Sequence, residues 1–173
     1  MKMRRIDHIV LTVSDLEEST RFYHEVFDMP VLDQQSNDQL VTLRCGHQLI
    51  RLQKSDRQTE LKAPHLTTGA ADFCIVAGDQ LEDILHHLKS YFVDIVAGPV
   101  EKRGSEGAMT SVYVHDPDNN LVEIAVYANK QDYDKPVQGK PAPVYFNSKL
   151  SPNINITSKT APAKRRWSRI IPR

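Results

Sequence analysis

Cysteine is almost absent from this chain. Cys45 and Cys74 are the only two among 173 residues, which is too few for a disulfide framework and the wrong spacing for a zinc finger. Long apolar runs are missing as well. No stretch of about eighteen apolar residues occurs, so no helical membrane span is expected. The opening MKMRRIDHIVLTV carries charge but no extended apolar core and no small-residue cleavage site. It reads as the start of a strand and not as a secretion signal, which makes a reducing cytoplasm the expected setting. Net charge is also lacking, with 22 basic against 22 acidic residues. That balance hides a split. From Lys130 onward there are ten Lys or Arg and two acids, leaving twelve basic and twenty acidic residues before it. An acidic body with a basic appendage is the expected organisation.

What is present is a pattern that occurs twice. RIDHIVLTV is rich in β-branched residues and predicts a strand. Ser14 and Glu17 have capping-box spacing. Leu16, Tyr23 and Phe27, with Phe22 and Val26 beside them, predict an amphipathic helix over about 15–28, stopped by Pro30. Three short strands are expected at about 30–35, 39–45 and 48–53, with turns at Asn37-Asp38 and Gly46-His47. After a polar connection over 54–68 the scheme restarts. A strand is predicted at 71–77. A second capping-box spacing, Asp79 with Glu82, precedes a helical stripe of Leu81, Ile84, Leu85, Leu88 and Phe92. Strands follow at about 94–96, 109–115 and 121–127. The segment from Gly98-Pro99 through EKRGSEG reads as a loop, and DPDNN as a strong turn. Strand–helix–three strands therefore recurs at an offset of about 64 residues, which points to an internal duplication. The modules span about 4–54 and 69–128.

Alternation places His8, Val10 and Thr12 on one face of the first strand, and Leu121, Glu123, Ala125 and Tyr127 on one face of the last. Arg51 and Gln53 share a face, as do Asp72 and Cys74, and Ser111, Tyr113 and His115. Each strand thus has one purely apolar face for the helices to cover and one mixed face. Two readings of the mixed face stand: it meets solvent, as antiparallel sheets allow, or it lines a ligand cleft. His8 and Glu123 lie on it in the first and last strands, as packed or surface residues or as a metal-binding pair. His24, His86 and His87 fall on helices and are expected to be solvated. Lys102 and Arg103 fall in the predicted loop, where they are solvated or offer an anion contact.

The duplicated βαβββ pattern, the opening IDHIVLTVSDLEESTRFYHEVFDMPV and the closing VYVHDPDNNLVEIAVY resemble the vicinal oxygen chelate superfamily. Its members include glyoxalase I, extradiol dioxygenases, fosfomycin-resistance transferases and bleomycin-binding proteins. GAADFCIV and GPVEKRGSEGAMTSVYVHDPDNNLVEI are most similar to the glyoxalase-domain-5-like and bacterial virulence-protein branch. The resemblance covers about residues 4–128. It implies an α+β fold, with two βαβββ modules forming an incomplete barrel around a cleft. It also implies a divalent metal held by His8 and Glu123, with Asp72 at the position of a usual histidine and Gln53 as a fourth, weaker ligand. Such a donor set suits Mn, Fe, Ni or Zn. The activity implied first is a glyoxalase-like lyase or isomerase acting on a small oxygenated metabolite, with Glu123 moving a proton. The alternatives are a non-catalytic sequestering protein and an extradiol-type dioxygenase. Arg51, Ser111 and Tyr113 are the candidate substrate contacts, and a homodimer is the implied assembly. No membrane partner is expected. Nucleic acid enters only through the tail, 129–173, which holds most of the prolines, places Trp167 among basic residues and is expected to be disordered.

Overall fold

A computed structural model describes residues 1–128. The expectations for the tail at 129–173 lie outside the described residues. The first module runs strand β1 (His8–Val13), helix α1 (Leu16–Arg21), a π-helical stretch (Phe22–Val26), a 3-10 turn (Asp33–Gln35), β2 (Leu40–Cys45) and β3 (Gln48–Lys54). The second runs β4 (Asp72–Val76), α2 (Leu81–Ser90), β5 (Ile95–Gly104), β6 (Gly107–His115) and β7 (Leu121–Tyr127). They form a three-stranded sheet ordered β1-β3-β2 and a four-stranded sheet ordered β4-β7-β6-β5. β1–β3 and β4–β7 are parallel; the other pairs are antiparallel. The fold is mixed α+β with two small sheets and no closed barrel. Among the described residues no helix is long and apolar enough to cross a membrane.

Several local expectations need correction. The strand expected at 30–35 shrinks to a single bridge, Val31 with Leu43. Ser36 Oγ donates to the Leu32 carbonyl and Thr42 Oγ1 to that of Gln35, which curls the segment into the 3-10 turn. The predicted loop after Gly98-Pro99 is instead most of β5, the edge strand of a long hairpin with β6. The glycine and proline fall at a register shift between Ile95 and Val100 and do not end the strand. A side chain at Gly98 would run into the backbone of Ser111 and Val112, so only glycine lets β5 lie this close to β6.

Neither predicted capping box forms. Asp15 caps α1, its carboxylate accepting from the amides of Glu17 and Glu18 at 3.0 Å. The amide of Ser14 is turned instead to the Asp118 carboxylate. At α2 the N-cap is Gln80, without a side-chain bond. Phe92, expected on the α2 stripe, lies beyond the helix at positive φ and is exposed. His87 is exposed as expected, and its Nε2 also lies 2.8 Å from the Val26 carbonyl oxygen.

The buried set follows the apolar faces read from the pattern. Leu11, Val13, Leu43, Ile50 and Leu52 line the first sheet, and Val112, Val114, Val122 and Ile124 the second. The widened π-helical turn carries Phe22, Tyr23 and Val26 inward. Tyr23 is fully buried, and its hydroxyl donates to Asp116 Oδ2 at 2.8 Å. Asp116 also accepts from the amides of Asp118 and Asn120 and from Asn120 Nδ2. Asn120 in turn accepts from the Ala71 amide. Removing one donor from this buried carboxylate should cost about 1–3 kcal/mol. Tyr23→Phe is therefore expected to lower unfolding stability by that amount in urea titration. Asp116→Ala, which strips four bonds, should lower it more.

Candidate functional site

The second sheet builds its site from strand parity. Glu123 on β7 stands opposite Tyr113 on β6 and beside Cys74 on β4, and Ser111 stands opposite Ala125. Ser111, Tyr113, Glu123 and Cys74 thus share one face, as alternation predicted. Lys102 reaches this group from edge strand β5. Its Nζ lies 3.2 Å from Glu123 Oε2 and donates to the Tyr113 hydroxyl, with the ammonium 5.2 Å from the Tyr113 ring centre. The reading of its segment as a loop hid this residue. The usable signal was parity along VEKRG: once β5 pairs with β6 through Gly104 and Gly107, Lys102 falls on the mixed face.

Glu123 is 8 % exposed and Ser111 fully buried. Glu123 Oε1 and Ser111 Oγ are both shielded and receive no hydrogen bond from the described residues. The bond with Tyr113, and then the Glu123 carboxylate, hold the Lys102 ammonium above its ordinary pKa, against the opposing effect of burial. Desolvation first, then the Glu123 charge, raises the Tyr113 phenol. At neutral pH Lys102 is therefore an ammonium and Tyr113 a neutral phenol.

The first sheet carries a separate pair. His8 Nδ1 lies 2.9 Å from Asp7 Oδ1, and Arg51 Nη1 lies 3.3 Å from His8 Nε2. The network assigns the imidazole proton to Nδ1, donating to Asp7, with Nε2 accepting from Arg51. Arg51 Nε is buried and unpartnered. The bond with His8 holds the Asp7 carboxyl below its usual range.

Of the expected metal ligands, His8 and Glu123 therefore lie in different sheets and make no contact with each other. Asp72 is exposed at the start of β4. Gln53 is buried, its Nε2 donating to Thr12 Oγ1 and its Oε1 accepting from Arg57. Among the described residues no three His, Cys, Asp or Glu side chains gather as a metal site. As they stand in one chain, these residues do not fit a metal: the ligating atoms of His8 and Gln53 are bonded elsewhere, and an ammonium sits on Glu123. Of the substrate candidates, Ser111 and Tyr113 join Glu123, whereas Arg51 joins His8.

These two modules, with a mixed polar face on each sheet, place the chain in a known class. It belongs to the Glyoxalase/Bleomycin resistance protein/Dioxygenase superfamily, whose profile matches residues 5–124. It is 39 % identical over 127 residues to virulence protein STM3117 of Salmonella typhimurium, covering 73 % of this chain and 87 % of that one. The crystal structure of that protein superposes with a TM-score of 0.69 at 38 % identity, over 74 % of this chain and all of that one, a coverage of 100 %. Lactoylglutathione lyase from Agrobacterium tumefaciens superposes with a TM-score of 0.57 at 26 % identity, over 72 % and 95 % of the two chains. TnmS3, an antibiotic binding protein from Streptomyces, shares the fold at 18 % identity and a TM-score of 0.56, over 73 % and 98 %.

Cys74 offers a test of the site's electrostatics. Desolvation, then the Glu123 carboxylate, pushes its thiol up to about 11, with Lys102 opposing. At pH 8 its thiolate fraction should fall well below that of an ordinary thiol, and its alkylation should be slower, by at least about tenfold. Iodoacetamide kinetics in a Cys45→Ala background should show this, and Glu123→Gln should speed the reaction.

Proposed function

We propose that the chain binds a small oxygenated molecule on the mixed face of its second sheet, as the sequestering members of the superfamily do. One observation carries this reading: two buried polar atoms on one face, the Glu123 Oε1 acceptor and the Ser111 hydroxyl, lack a hydrogen-bond partner among the described residues. Buried polar atoms in folded proteins almost always find partners, and leaving one unpaired costs free energy. A ligand O–H or N–H directed at Glu123 would supply the missing bond there, while the remaining N–H of Lys102 donates to another ligand oxygen.

A second reading is a metal-dependent lyase of the glyoxalase kind, with His8, Asp72, Glu123 and Gln53 around a divalent ion. The unpartnered Glu123 oxygen and the likeness to a lactoylglutathione lyase favour it. The ion would polarise vicinal oxygens of a substrate. It requires Arg51 and Lys102 to leave the ligand atoms they now contact.

A homodimer belongs to either reading. Val76 on β4 and Ile95, Val96 and Val100 on β5 are exposed apolar residues on the two edge strands of one sheet, and Phe92 and Val10 are exposed nearby in sequence or on the other sheet. Apolar side chains on open strand edges favour association.

Titration of the 15N-labelled chain with oxalate, lactate and catechol tests the binding reading. Amide shifts are expected in β5, β6 and β7 around Lys102, Tyr113 and Glu123, and they should vanish in Glu123→Gln. Silence of these strands toward all three compounds would overturn it.

A further inference from the structure

We propose that Lys102 takes the place of the metal ion at Glu123, so that the site works through an ammonium and accepts a small α-hydroxy carboxylate. The inference rests on the reading that this face binds a small molecule, and it names the ligand class. Its geometry is direct. Lys102 Nζ stands 3.2 Å from Glu123 Oε2, on the carboxylate that would otherwise hold the ion. A divalent metal binds a carboxylate oxygen at about 2.0–2.2 Å, so it could not sit on Oε2 while the ammonium remained, and on the free Oε1 it would meet the positive charge of the same ammonium without a second ligand from His8, which lies on the other sheet. The carboxylate's charge is already met by a covalently tethered cation.

The first sheet repeats the arrangement with different residues. His8 Nε2, the imidazole nitrogen left to ligate a metal, lies 3.3 Å from the Arg51 guanidinium, and Nδ1 is engaged by Asp7. A neutral imidazole has one lone-pair nitrogen, and Arg51 occupies it. The two strongest candidate ligands, on separate sheets, are thus each engaged by a basic side chain of the same sheet. Coincidence at one position would be unremarkable; the same substitution of tethered cation for metal at both is a consistent design.

Donor counting gives the ligand. An ammonium has three N–H bonds, and Lys102 directs two of them at Glu123 and Tyr113. The third is left for a ligand oxygen. The Tyr113 hydroxyl accepts from Lys102, and its own proton is drawn to the Glu123 carboxylate. One ammonium N–H therefore faces a ligand and suits the negatively charged oxygen of a carboxylate, where charge-assisted bonds are strongest. Beside it, Glu123 Oε1 requires a donor. A carboxylate with a hydroxyl on the adjacent carbon supplies both at the spacing of neighbouring oxygens.

Calorimetric titration of the full chain with Mn, Ni and Zn salts, and separately with lactate, tests this. The metal titrations should be the same for wild type and Glu123→Gln. Lys102→Met should weaken lactate binding at least about tenfold, while Lys102→Arg, which keeps the charge, should stay within about threefold. Lys102 lies on an exposed edge strand, so circular dichroism should show both variants folded. One equivalent of any of these metals bound by wild type and lost in Glu123→Gln would overturn the substitution of ammonium for metal. Lactate binding that Lys102→Met leaves unchanged would overturn the assigned role of Lys102 toward the ligand. Lactate failing to bind wild type would overturn the ligand class. If oxalate and catechol also left the strands silent, the binding reading itself would fail, with the metal result still deciding the role of Lys102.

Discussion

The buried carboxylate of Asp116 ties the two halves of the described chain to each other. It sits in the turn between β6 and β7 and accepts from Tyr23, whose ring is the largest fully buried side chain of the first module. The same turn reaches back further. Asp118 accepts from the amide of Ser14, and Asn120 receives the amide of Ala71 at the entry to β4. A turn that would otherwise be surface is thereby held between modules. Its rigidity passes to β7, which begins one residue later and carries Glu123 two residues after that. Buried networks of this kind matter most when every member is satisfied, because an unpaired carboxylate in such surroundings is costly.

The site departs from that rule. Asp116 has four donors, whereas Glu123 has the single ammonium of Lys102 on one oxygen and nothing from the described chain on the other. Two carboxylates seven residues apart, both nearly buried, thus stand in opposite conditions. The first is structural and complete. The second is left partly unsatisfied beside a neutral phenol, a shielded serine and a thiol whose ionisation it suppresses. Buried polar atoms without partners are rare in folded proteins, and here two of them gather on one face.

Much of the fold was legible because its apolar periods are strong. The runs of β1 and β7 and the stripe through Ile84 and Leu88 fixed those elements, and parity fixed which residues share a face with Glu123. Legibility failed where a local signal competed with pairing. Gly98-Pro99 reads as a turn by its composition, yet β6 supplies a partner that carries the strand across it. Ser14 reads as a cap, yet Asp118, more than a hundred residues away, takes its amide. For the site, parity found Tyr113, Ser111 and Cys74 beside Glu123 but missed Lys102, since a residue assigned to a loop has no face.

The amino-acid sequence by itself determined the duplication, the family and the face of each residue that it placed on a strand, because these depend on local period and on motifs contiguous in the chain. Tertiary structure alone decided what each polar group on those faces meets. His8 was set against Arg51, Gln53 against Thr12 and Arg57, and Glu123 against Lys102. Most of those pairings join strands apart in sequence, and a hydrogen bond depends on a few tenths of an ångström that no periodicity encodes.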